Sequence, residues 1–336
     1  MGTPETPPRR TLGKPPAFDP LDRKLMQALQ LDGRASFRRV AEVLGVSDQT
    51  VARRYRRLRA GVRLRVLGMV DQSRVGRASW IVRLRCTPDV AEQLAQALAR
   101  RSDTSYIVLA SGGTEIVTAM RPRSREIRDE LLLTQFQRTP RILSVSTHCL
   151  LHMFYGGSSG WLSKLQALSP QEAQALRPPP VDPSPEPVEL DDVDERLLAA
   201  LQADGRASLA ELQSATAQSE SVVRRRLEHL RSRGVLYYDV QYDAEPLGTP
   251  VQAMLWLTVA PSALDATGRA LAGHPEVSFA AAMSGSANLV AVTMHGSVAA
   301  LYSYLSERIG ALTGVHALET VLTLRQVKQL SYEPMR

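Results

Sequence analysis

The stretch "GVSDQTVARRYRRLRAGV" occupies residues 45–62, and its reading decides the fold. Arg53, Arg54, Arg56, Arg57 and Arg59 crowd into it, while Val51, Tyr55, Leu58 and Val62 keep an apolar rhythm through them. On a helix turning about 100° per residue, those four apolar side chains fall within roughly 60° of one another, a narrow seam for a partner helix. Arg53, Arg54 and Arg57 point the opposite way, with Arg56 and Arg59 on the flank. Solvated helix faces usually mix signs, whereas after Asp48 this one carries no acid.

The residues before it complete the pattern. Residues 37–44 predict a short helix, "GVS" a tight turn, and Ser47 an N-cap. That order is the sequence form of a helix-turn-helix. In such a motif the second helix enters the major groove of double-stranded DNA and its first residues meet base edges. Gln49 suits adenine, Arg53 guanine, and Thr50 either edge or a thymine methyl. The later arginines of the helix, Arg54 and Arg57 among them, with Arg34, Arg38 and Arg39, suit phosphates.

Net charge is +7, and it is unevenly placed. Residues 1–177 hold 29 Lys+Arg against 15 Asp+Glu, whereas residues 178–336 hold 12 against 19. A polyanionic partner is therefore expected for the first half alone.

The chain is written twice. "FDPLDRKLMQALQLDGRAS" (18–36) matches "LDDVDERLLAALQADGRAS" (190–208) at 11 of 19 positions. Ser47, Val51 and Leu58 then recur as Ser219, Val223 and Leu230. A unit this long is a duplicated protein rather than a solenoid repeat. Between the copies, six prolines among residues 178–187 predict an extended, semi-rigid spacer.

In each copy three helical patterns and a strand or wing are followed by strand, helix, strand, strand, helix, strand. The first copy's strands are expected near 79–86, 105–111, 114–120 and 142–149, and the second's near 250–259, 277–284, 288–294 and 315–324. This order is the ferredoxin-like βαββαβ unit, an antiparallel sheet with helices on one face. The expected class is α+β. The expected divisions are a disordered tail (1–17), a winged helix-turn-helix (18–70), a βαββαβ unit (76–155), a proline-rich linker (156–189), a degenerate winged helix-turn-helix (190–242) and a second βαββαβ unit (247–327).

"FDPLDRKLMQALQLDGRASFRRVAEVLGVSDQTVARRYRRLRAGV" resembles the N-terminal winged helix-turn-helix of the Lrp/AsnC (feast/famine) transcription regulators. The βαββαβ unit is similar to that family's RAM domain. The resemblance implies a DNA-binding regulator that senses an amino acid or related small molecule and assembles into dimers or higher homo-oligomers. It also implies an effector turn between the second and third RAM strands, here Gly112, Gly113, Thr114 and Glu115, and Gly285, Ser286 and Asn288. An ordinary hairpin turn is the competing reading of both. A ligand-independent repressor or architectural DNA-binding protein is the competing function. Family members are usually single-copy, so the tandem form is a departure.

The copies also diverge. Asp48-Gln49-Thr50 becomes Glu220-Ser221-Val222, and Arg56-Arg57 becomes Glu228-His229. Phosphate repels acids, so the second motif reads as mainly structural. With both RAM sheets on one chain, the halves are expected to pair in cis, and two or more chains to associate on DNA.

Other features point elsewhere or nowhere. "GGSSG" (156–160) has the G-x-S-x-G form of a hydrolase elbow, a remote alternative that would need a mostly parallel sheet. His148 and His152 alternate with Cys149 on a strand, which reads as exposed histidines and a buried thiol rather than a metal site. Absence of a P-loop, HExxH or paired CxxC implies no cofactor. Two cysteines, no apolar run of membrane length and no signal-like N-terminus suggest a cytoplasmic protein without membrane contact.

Overall fold

The computed structural model describes residues 18–181, 186–243 and 247–330. The expected tail (1–17) and residues 182–185 of the spacer lie outside these.

Side-chain caps set the helices of the first winged unit. α1 (Pro20–Leu31) starts at Asp19, which accepts from the Asp22 N–H while the Asp22 carboxylate accepts from the Asp19 N–H. α2 (Phe37–Leu44) is capped by Ser36 and ended by Gly45 in the left-handed region, φ 66°. α3 (Asp48–Val62) begins at Ser47, whose Oγ accepts from the Thr50 N–H at 3.2 Å. The apolar seam read from the sequence is the buried one: Val51, Tyr55, Leu58 and Val62 all face the core. β1 (Arg65–Val70) follows.

The first sheet unit is β2 (Trp80–Cys86), α4 (Pro88–Ala99), β3 (Thr104–Ala110) and β4 (Glu115–Met120). Then comes α5 (Arg125–Asp129), running through a π turn into α6 (Phe136–Arg138), and β5 (Ile142–Tyr155). α7 (Pro170–Leu176) lies between the copies. The second copy repeats the winged unit as α8 (Asp192–Ala203), α9 (Leu209–Thr216), α10 (Glu220–Ser232) and β6 (Leu236–Gln241). Its sheet unit is β7 (Val251–Val259), α11 (Leu264–Gly273), β8 (Val277–Met283), β9 (Leu289–His295), α12 (Val298–Ser303) and β10 (Val315–Lys328).

The two winged units are one body. β1 pairs antiparallel with β6, Arg65 opposite Gln241 and Val70 opposite Leu236. Leu25, Leu29 and Val62 share a core with Leu201, Leu227 and Leu230. Leu162, Leu168 and Leu176 join the same core, so residues 161–176 are packed structure. The two "DGR" turns exchange arginines. Arg34 donates to Gly205 O and Ala207 O at 2.8 and 2.9 Å, and Arg206 donates to Gly33 O and Ala35 O at 2.6 and 3.0 Å. This reciprocity is the mark of a pseudo-two-fold contact.

Both sheets are antiparallel with helices on one face, and they close on each other. The strand order is β10-β3-β4-β2-β5-β8-β9-β7, a closed barrel. β5 pairs with β2 up to Cys149 and with β8 from Leu150 onward. β10 does the same in mirror fashion, with β7 up to Leu322 and β3 from Thr323. The RAM-like halves therefore pair in cis. Ile81, Val108 and Val117 meet Met254, Trp256 and Val290 between the sheets.

The two helix-turn-helix turns differ in one testable respect. Ala217 stands where copy one has Gly45 and adopts φ 55°, a region costing an L-residue roughly 1–2 kcal/mol. Ala217→Gly should therefore stabilise the protein by about 1 kcal/mol. Gly45→Ala, with nothing within 4 Å of the added methyl, should destabilise it by a similar amount. Thermal unfolding of both variants checks this.

Candidate nucleic-acid interface and effector loops

On α3 the arginines divide into two sets. Gln49, Arg53, Arg56 and Arg59 are exposed. Among the described residues Arg53 makes no ion pair or hydrogen bond, and Arg56 reaches only its own helix at Ala52 O, 3.4 Å away. Arg59 lies 6.0 Å from the Tyr55 ring centroid. Thr50 shares a 2.9 Å hydrogen bond with Ser47 at the helix start. These side chains stand where a recognition helix would present them to a groove.

Arg54 and Arg57 are engaged elsewhere. Arg54 Nη1 pairs with Asp22 at 3.0 Å and with Asp19, and Arg57 pairs with Asp22, whose side chain is 1% exposed. Burial works against the charge on Asp19, yet the Arg54 hydrogen bond and the Asp22 N–H hold its carboxyl below the ordinary range. The second copy repeats the arrangement, with Arg226 2.8 Å from both Asp191 and Asp194. Both copies keep the contact, which marks it as a clamp of α3 on α1 and of α10 on α8. Arg34 is spent on the second copy's turn, as described. Arg38 pairs with Glu42 at 3.0 Å on the surface, and Arg39 donates to Ala175 O at 2.8 Å. Sequence reasoning thus gathered nine residues. The structure brings Ser47, Gln49, Thr50 and Arg53 together on the helix start and ties Arg34, Arg39, Arg54 and Arg57 to protein partners. Arg56 and Arg59 belong with the exposed set, and their flank position was the signal.

α10 presents a different face. Arg224 is paired with Glu220 at 2.7 Å, and exposed Glu228 and His229 stand where α3 has Arg56 and Arg57.

The two effector loops are equally unlike each other. Gly112 and Gly113 have φ 70° and 81°, with open space where side chains would go. Thr114 Oγ1 donates to Ser111 O within the turn at 2.7 Å. Glu115 is buried and turned inward. It accepts from Ser111 Oγ at 2.9 Å and pairs with Arg83, which also grips Glu319 of β10 at 2.7 and 2.8 Å. The Arg83 guanidinium lies 4.4 Å from the Trp256 ring centroid, so the group bolts the two sheets together. Gly285, φ 117°, lies against His148, whose Nδ1 donates to Ser284 O at 2.8 Å. Ser286 O accepts from Thr258 Oγ1 at 3.0 Å. The Asn288 amide pairs with both Val259 N and Val259 O, at 2.9 and 2.8 Å, like one more strand residue. His148 is half-buried rather than exposed, because this hairpin covers it.

The G-x-S-x-G stretch joins antiparallel β5 to a 3-10 turn, Trp161–Leu165. Among the described residues Ser158 is bonded to no histidine or acid. Nor do any described residues group three His, Cys, Asp or Glu for a metal, and no described helix is long and apolar enough to cross a membrane.

A pair of three-helix units, the first with a basic, exposed third helix, set on antiparallel sheets, defines a winged helix-turn-helix DNA-binding protein. Comparison with known proteins makes this specific. The AsnC-type helix-turn-helix domain matches residues 18–59 and 190–231, and the Lrp/AsnC ligand binding domain matches residues 252–332. The HTH-type transcriptional regulator LrpA of Mycobacterium tuberculosis is 33% identical over 135 residues, 40% of this chain and 89% of that protein. The regulator FL11 of Pyrococcus horikoshii is 27% identical over 150 residues, 44% of this chain and 99% of that one. The chain belongs to the Lrp/AsnC family. Each of these relatives is about one copy long, in keeping with the duplication. Over its whole length the fold is like that of the siroheme decarboxylase NirDL, with TM-score 0.63, 17% identity and 93% coverage of both chains.

The clamp separates two kinds of arginine. Arg54→Ala leaves buried Asp22 short of a partner and should cost about 2–3 kcal/mol of stability. Arg53→Ala should leave the melting temperature within about 1 °C, as expected of an exposed surface change. Thermal melts of the two variants side by side are the check.

Proposed function

We propose that this chain is a sequence-specific, non-enzymatic transcription regulator of the cytoplasm, which reads DNA mainly through α3. The observation that carries this is the basic face of Arg53, Arg56 and Arg59 at the exposed side of a capped helix in a helix-turn-helix. Gln49, Thr50 and Arg53 read bases, and Arg56 and Arg59 hold phosphates, joined by Arg38 when DNA competes with Glu42. Arg34, Arg39, Arg54 and Arg57 position the reading helix. The second winged unit is mainly structural. The division of the chain into two winged units, two sheet units and an intervening linker is part of this reading, as is modulation by an amino acid or related small molecule at the sheet units.

One chain offers one strong reading helix, and a single module touches few base pairs. Two or more chains therefore associate to place two copies of α3 on one DNA face. Arg53→Ala should cost about 1–3 kcal/mol and relax base preference, whereas Arg59→Ala should weaken all sequences alike and lower the salt slope by about one. Selection from random DNA followed by binding titrations measures both. Light scattering on the selected site should give, after the DNA's own mass is subtracted, at least twice 36.9 kDa, and a complex with one chain would overturn the assembly. Effector titration against operator binding separates this reading from a ligand-independent repressor.

The likeness of fold to a siroheme decarboxylase favours one further comparison. Incubation with siroheme should leave its absorbance spectrum and carboxylate count unchanged.

A further inference from the structure

A cavity of about 190 Å³ lies at the end of the barrel, between the two sheets and beneath β6. That is far more than the roughly 10–15 Å³ one water needs. Its walls straddle the pseudo-two-fold. Aligned on Gly112 and Gly285, the copies correspond at an offset of 173 residues. On that offset Ile81 answers Met254, Val117 answers Val290, and Ala119 answers Val292, and all six line the cavity. Tyr106 and Phe279 form a further pair, as do Ser105 and Ser278.

The charged residues break the symmetry. Arg121 lines the cavity from the end of β4, and its counterpart is Met294, which also lines it. Asp239 lines it from β6, and its counterpart, at the winged units' own offset of 172, is Leu67, which it faces across the β1–β6 pair and which is buried. A symmetric dimer of identical chains would place such groups in like-charged pairs. Here the cavity holds one cation and one acid.

Both charges are held ready. Arg121 has no salt-bridge partner within 4 Å among the described residues and lies beside Tyr237, within electrostatic reach of Asp239. Asp239 Oδ1 accepts from the Val240 N–H at 2.8 Å and from Gln30 Nε2 at 3.1 Å. Its Oδ2 has no partner among the described residues, and the surface Asp239 keeps faces the cavity. Burial pushes its carboxyl up to about 6, against which the Val240 and Gln30 hydrogen bonds act. An apolar chamber with a few convergent polar groups is the general form of a small-molecule site.

We propose that this cavity binds a small, mostly apolar carboxylic acid that carries a hydrogen-bond donor, with the carboxylate on Arg121 and the donor on Asp239 Oδ2. The site is separate from the hairpin loops. Because Gln30 of α1 and β6 form its roof, ligand stabilises the placement of the winged body on the barrel.

The test uses the full chain and the fluorescent anion 8-anilinonaphthalene-1-sulfonate, displaced by phenyllactate or by its neutral amide. One saturable probe site is expected, with phenyllactate competing about tenfold better than the amide. Arg121→Met and Asp239→Leu each install the other copy's residue. The first should erase the acid-over-amide preference, and the second the preference for phenyllactate over phenylpropionate. If the methionine variant melts early, Arg121→Gln gives the same reading without loss of polarity. No saturable probe site, equal competition by acid and amide, or probe affinity unchanged in the Arg121 variants would each overturn the proposal.

Discussion

Backbone groups at a sheet edge must find partners, and here they find them in the other copy. β5 and β10 each run 14 residues, about twice what their own sheets can pair. The overhang of each is a row of N–H and C=O groups that would otherwise template association with any passing strand. Each overhang adds to the far edge of the opposite sheet, and register shifts at Leu150/His152 and Thr323/Arg325 bend the strands around the corner. Closure fixes the rest. It turns both helical layers outward, buries the inner sheet faces on one another and leaves a chamber where the barrel opens. It also brings the ends of the sheets near the paired strands β1 and β6, so the winged units dock as one body.

Much of this was legible because it is local. The cap at Ser47, the alternation of the strands and the seam of α3 are written within a few residues of where they act. The tandem repeat exposed the two helix-turn-helix copies directly. What could not be read is what lies far apart in sequence. β5 was expected to end near 149, since residues 150–155 are strand only by virtue of β8, well over a hundred positions away. The Asp22 carboxylate lies across from Arg54 and Arg57, 32 and 35 residues on, and charge alone does not tell a clamp from a phosphate ligand.

One signal was present and could have been used. Asp19, Asp22, Arg34 and Arg54 recur as Asp191, Asp194, Arg206 and Arg226, although the second copy has lost Arg38, Arg39, Arg56 and Arg57. Buried or paired residues kept in both copies serve what both copies share, which is folding and mutual docking. Exposed Arg53 and Arg59 also recur, as Arg225 and Arg231, so recurrence alone does not separate the two roles. Residues kept in one, such as Gln49 and Arg56, belong to what only that copy does. Glu115 and Asn288 show the limit of the method. Both sit at the turn position the family resemblance implies, but their environments, an inter-sheet ion group and a strand-like amide pair, come from other elements.

Joining two subunits in one polypeptide also changes how the molecule behaves in a cell. Identical chains that dimerise must first meet, so their active fraction falls with copy number. Here the spacer keeps each sheet permanently near its partner, and the pairing survives dilution to a single molecule. Folding the second half, rather than encounter, becomes the step that completes the body. A cell can therefore keep the protein scarce without losing the paired form, and nascent chains emerge with their partner already attached.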